Sequence, residues 1–153
     1  FLGASLAGYS KDFTMAADRF GRHLGIAYQI YDDLVDFLGE ERKIGKTLGT
    51  DFASGKLTLP LMLLLEKMEP NERAAMVEGL RAGGAPDLAL VSKQKMNELG
   101  IAQSIVDAID QELVHAISVL EPHLALAPVS LMQQLAGMLK SQVASLSTVH
   151  GSR

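Results

Sequence analysis

Cysteine is absent from the 153 residues. Disulfides, Cys-ligated zinc and thiol catalysis are therefore excluded, and a reducing, cytoplasmic setting is the expectation. Aromatic residues are scarce, at 5%. The apolar content comes instead from Leu, Ala, Ile, Val and Met, among which Leu and Ala are strong helix formers. Positive charge is not in excess: the net charge is −4 and the pI about 5.5. Without a basic field the chain has no general attraction for nucleic acid or an anionic membrane, so no nucleic-acid partner is expected. Long hydrophobic runs are missing too. The longest aliphatic stretch, Leu61-Met-Leu-Leu-Leu65, is far too short to span a bilayer, so no transmembrane segment is expected. No basic segment followed by an apolar one opens the chain, and no signal peptide is expected.

What is present fits one compact domain that can bury a core, with 48% hydrophobic and 21% charged residues. The opening Phe1-Leu-Gly-Ala-Ser-Leu-Ala-Gly8 has no initiator Met and no helix-start signal. It reads as the middle of a helix, and a fragment of a larger helical domain is expected, with removal of a leader as the alternative that would give the same start. Phe13, Ala17, Phe20, Leu24, Ala27, Tyr28, Tyr31, Leu34, Val35 and Leu38 step by threes and fours, which predicts one long helix over about 12–38. Gly39 is a suitable end for it. A Gly-rich, mixed-charge loop occupies 39–57, and a loop of that length inside a compact domain tends to be functional. Thr58 and Pro60 open the next helix. Further helices are predicted over about 71–82 with Gly83-Gly84 as the stop, from Pro86 to Leu99 with Gly100 as the stop, and from Ile101 to Leu120. The last runs from about Val129 to the mid-140s, with 145–153 as a frayed tail. No strand signature or internal repeat competes, so the fold class is all-α, a helical bundle in a single domain over 1–153.

The chemistry-bearing residues sit near the end of the long helix. At about 100° per residue, Gln29, Asp32 and Asp36 share one stripe with Asp33 at its edge. Asp32 and Asp36 are like charges at i,i+4, and they lie where the helix dipole disfavours anions. No Lys or Arg stands one turn away to neutralise them. The bland alternative is a solvated acidic face, but the helix is apolar on most other sides. A hard divalent cation would compensate such a stripe, and Mg²⁺ characteristically combines one or two carboxylates with phosphate oxygens. In the loop that follows, Lys46 and Lys56 each come directly after a glycine, where backbone can approach a ligand closely and a lysine can meet a phosphate oxygen. Together these residues point to a diphosphate site.

Residues 25–60, GIAYQIYDDLVDFLGEERKIGKTLGTDFASGKLTLP, resemble the second aspartate-rich region of the trans-polyprenyl diphosphate synthases. The family pattern is aromatic-Gln-x-x-Asp-Asp-x-x-Asp, then Gly-Lys-x-x-Gly-x-Asp, then Gly-Lys-x-Thr-Leu-Pro, and every position is filled. Gly3-Ala4-x-Leu6-Ala7-Gly8 and Phe20-Gly-x-x-Leu24-Gly25 also match segments upstream. The resemblance is strong over 1–65 and architectural beyond.

The resemblance implies the C-terminal part of the isoprenoid synthase fold and a Mg²⁺-dependent prenyltransferase. In that reaction the diphosphate of an allylic substrate leaves, and isopentenyl diphosphate attacks the allylic cation to extend the chain by one trans unit. It implies Asp32 as the main metal ligand, with Asp33 and Asp36 supporting it directly or through water. Lys46 and Lys56 would contact the allylic diphosphate, Gln29 would line the site near the reacting carbon, and a homodimer would form through helices near the start of this chain. Asp51 also stands at a family-typical position. The family's first aspartate-rich motif is not found in these residues, so half an active site and negligible activity of the chain alone are expected. A non-catalytic or regulatory subunit is the alternative. A terpene cyclase is disfavoured because the two Gly-Lys segments belong to chain elongation enzymes. Elsewhere, His23 is assigned a hydrogen-bonding or surface role. His115 and His123 are assigned none, for want of a carboxylate at ligand spacing, and the methionines are assigned to the core.

Overall fold

Ser10 begins the long helix by accepting a hydrogen bond through its Oγ from the backbone N–H of Phe13, at 3.2 Å. A side-chain cap of this kind stabilises a helix start by about 1 kcal/mol. Asp12 adds an acid in the first turn, where the helix dipole favours it. The computed structural model describes residues 1–38, 56–83 and 86–150. The chain is all-α, and among the described residues there is no strand. A short helix α1 (Leu2–Leu6) precedes α2 (Lys11–Leu38), followed by α3 (Leu59–Lys67), α4 (Pro70–Arg81), α5 (Pro86–Glu98), α6 (Ile101–Ser118), a 3₁₀ turn at Glu121–His123, and α7 (Ala127–His150). Residues 39–55, which hold most of the expected loop, lie outside the described residues.

Two compact units are formed, one of Phe1–Gln29 with Asp107–Arg153 and the other of Ile30–Val106. In the first, Phe13, Ala16, Phe20 and Ala27 of α2 are buried, as are Ile109, Leu113 and Ala116 of α6 and Val129, Ala136, Leu139 and Val143 of α7. Phe13 sits edge-on to Tyr9 and to His123, with ring centroids 4.9 and 5.4 Å apart, the arrangement that ring quadrupoles favour. α7 continues to His150, past the end expected in the mid-140s. Within that last stretch Ser145 donates from Oγ to the Gln142 carbonyl at 2.7 Å.

The second unit packs Leu34 and Val35 of α2, Leu61 and Leu64 of α3, Met76 of α4, Met96 of α5, and Ile101 and Ile105 of α6. Gly83 and Gly100 take positive φ, +100° and +64°. Both act as the stops that the sequence marks, since only glycine adopts this backbone without strain. Thr58 does precede α3 and is buried, but its side chain makes no capping hydrogen bond. Arg73 binds the end of α3 instead, donating from Nη2 to the Met68 carbonyl at 3.0 Å. Ser92, fully buried, donates to the Leu88 carbonyl one turn earlier at 2.8 Å. Lys95 meets Glu72 at 2.7 Å, and that hydrogen bond holds its ammonium above the ordinary lysine range. Its contribution is fully present below the unfolded lysine value and is lost as pH rises through the folded one. Met68, Met76 and Met96 fill this core as expected, whereas Met15, Met62 and Met138 are exposed.

Candidate functional site

The last turns of α2 separate by burial the four residues singled out in the sequence. Asp33 and Asp36 are buried, at 9% and 3% exposure, and Asp32 is half-buried. Gln29, one turn earlier on the same helix, is exposed. Two carboxylates inside a helix end are costly unless matched by partners. Among the described residues no buried side-chain polar atom lacks a hydrogen-bond partner, so the site is satisfied locally.

One cation from the downstream segment reaches it. Lys56 Nζ lies 3.8 Å from Asp33 Oδ1, across 23 residues of sequence, and its own side chain is 52% exposed. The ammonium thus touches the acidic cluster while facing solvent. The pair joins a half-exposed ammonium to a carboxylate whose side chain is 11% exposed. Lys46 and Asp51, the other loop residues singled out in the sequence, lie outside the described residues.

The arrangement offers oxygen donors only, from three carboxylates within two turns of one helix, with a lysine at their edge. That donor set fits a hard cation such as Mg²⁺ and not a soft one.

A second cluster was not legible as a site. His23 of α2 and Glu112 of α6 meet through Nδ1 and Oε2 at 2.7 Å, which accords with the hydrogen-bonding role expected of His23. The expectation that His115 has no carboxylate at ligand spacing is corrected here. Glu112 stands one turn before it on α6, and ligand atoms of His23, Glu112 and His115 all lie within 4.8 Å of one another. The Glu-x-x-His spacing on α6 was the available signal, but it acquires meaning only once α2 packs beside it. In the same unit, Asp18 is held below the usual carboxylate range by its hydrogen bond to Arg22. No helix among the described residues is long and apolar enough to cross a membrane.

Residues 1–99 match the model of the polyprenyl synthetase family. A short chain isoprenyl diphosphate synthase of Methanothermobacter thermautotrophicus is 36% identical over 81 residues, 53% of this chain and 25% of that protein. In structure, the chain resembles a polyprenyl synthase from Roseobacter denitrificans with a TM-score of 0.81 at 27% identity, over 92% of this chain and 46% of the other. A geranylgeranyl pyrophosphate synthase from Corynebacterium glutamicum, solved with isoprenyl diphosphate and magnesium, aligns with a TM-score of 0.74 at 28% identity, over 91% and 40%. The chain spans less than half the length of each of these proteins.

Proposed function

Because the chain belongs to the polyprenyl synthetase family, we propose that it is the C-terminal part of a trans-prenyl diphosphate synthase, the part whose α2 carries one of two metal-diphosphate clamps. The observation that carries this reading is the burial of Asp33 and Asp36 beside half-buried Asp32, with Lys56 Nζ 3.8 Å from Asp33. In this reading the three carboxylates hold Mg²⁺, and Lys56, with Lys46 from the loop, binds oxygens of an allylic diphosphate. Mg²⁺ bound there supplies positive charge against the charge that develops on the departing diphosphate. Asp33 and Asp36 are buried and Asp32 is half-buried, so Asp32 is proposed as the first ligand to the ion. Gln29, exposed one turn earlier, is proposed to line the path of the substrate near its reacting carbon. The Corynebacterium relative, solved with isoprenyl diphosphate and magnesium, supports the same pairing of ligand and metal.

The second substrate is isopentenyl diphosphate. Its binding residues and the opposing aspartate-rich motif are assigned to sequence outside these 153 residues. Supplied with geranyl diphosphate, isopentenyl diphosphate and Mg²⁺, this polypeptide alone is expected to give no product above background; measurable turnover would remove the half-site reading. The encoded sequence ahead of Phe1 separates the enzyme from the alternative of a non-catalytic subunit. A DDxxD-type motif there favours the enzyme, and a start codon directly before Phe1 favours the subunit.

Homodimerisation is part of the proposal. No residue of α1 is buried, and Phe1, Leu2 and Leu6 are 62%, 72% and 86% exposed. An apolar segment so poorly covered gains by burial against a second copy. Light scattering should return twice the 16.4 kDa chain mass, reduced to the single mass by Leu6→Asp. A native chain that stays monomeric at high micromolar concentration would count against the dimer. A cytosolic setting accords with the absence of cysteine.

A further inference from the structure

We infer that His23, Glu112 and His115 form a second metal site, distinct in chemistry from the carboxylate stripe, which takes a borderline divalent ion of the Zn²⁺ class. All three belong to the first unit, His23 on α2 and the other two on α6. Their potential ligand atoms lie within 4.8 Å of one another. A tetrahedral Zn²⁺ with bonds of about 2.0–2.1 Å holds its ligands about 3.3 Å apart, so the cluster is already near the required size. The closest pair, His23 Nδ1 and Glu112 Oε2 at 2.7 Å, has to open by about half an ångström as the ion replaces the proton between them. His115 need move only inward: its ring is exposed and stands 5.4 Å from that of His23, tilted by 55°.

The donor set decides the ion. Two imidazoles and one carboxylate match the His₂Glu ligation of zinc sites and leave a fourth position for water, whereas Mg²⁺ prefers oxygen throughout. Glu112 and His115 at i,i+3 present their ligands from one face of α6, and His23 completes the set from the facing helix, a construction that helical bundles use repeatedly. Two neutral imidazoles with one carboxylate bring a single negative charge to meet the dication. The bound ion clips α2 to α6 and stabilises the native state, because the unfolded chain cannot assemble the three ligands.

The test is titration of the chelator-stripped chain with Zn²⁺ by calorimetry, and with Co²⁺ as the optical probe. The expected result is one equivalent of Zn²⁺ bound, a four-coordinate Co²⁺ spectrum in the visible, and a higher melting temperature with Zn²⁺. His23→Gln and His115→Gln should each weaken Zn²⁺ binding by at least about tenfold, whereas His123→Gln should leave it unchanged. In the native chain, Co²⁺ should shift the ring-proton resonances of two histidines, a readout that survives if a variant fails to fold. Absence of Zn²⁺ binding, or its retention in both histidine variants, would overturn the assignment.

Discussion

Alanine at Asp32 is expected to weaken Mg²⁺-dependent binding of methylenediphosphonate by about 10- to 100-fold, the range that corresponds to losing one charge-assisted contact. Asp32 is the informative position because of its burial. Asp33 and Asp36 are buried, so their removal perturbs the packing of α2 together with the ligand site, and a loss of binding there would be ambiguous. Asp32 is half-buried and can be truncated with the helix intact. Lys56→Ala should have a smaller effect, no more than about tenfold, since its ammonium is half-exposed and screened. Calorimetric titration of the three chains under one buffer separates these cases. Native-like affinity in Asp32→Ala would remove Asp32 from the site.

The largest effect on stability should come from the second unit. Leu64 is fully buried on α3, and Leu64→Ala removes its transfer free energy and leaves a cavity, at a cost of about 2–5 kcal/mol. Leu90, on α5 of the same unit, is 68% exposed. Leu90→Ala makes the same chemical change where nothing is buried, and should remain within about 0.5 kcal/mol. Urea denaturation midpoints at unchanged slope report the difference directly. Equal shifts for the two variants would mean that the core is not where α3 places it.

The sequence carried the helices well because their signals are local. The stripe through Ile101, Ile105, Ile109, Leu113, Ala116 and Leu120 is buried as its period requires, and Gly83 and Gly100 stop helices because their backbone conformation excludes other residues. The edge of a stripe was less legible. Tyr28 falls within the apolar arc of α2 but is 57% exposed, while its neighbour Ala27 is fully buried. Periodicity defines an arc on a helix; the partner helices decide which margin of it is covered.

The candidate site divides in the same way. The three aspartates could be named from their spacing, but the burial of Asp33 and Asp36 could not, and the approach of Lys56 to Asp33 joins positions 23 residues apart. The His23–Glu112 contact joins residues separated by 89 positions. A lone histidine on a helix gives no hint of such a partner, and Glu112-x-x-His115 becomes a candidate only beside α2.

The central claim is that the carboxylates of α2 bind a diphosphate through Mg²⁺. Its most direct test is titration of the native chain with methylenediphosphonate in Mg²⁺ and, separately, in a chelator. Saturable binding that requires Mg²⁺ is the predicted result; equal binding in the chelator, or none in either, would contradict it.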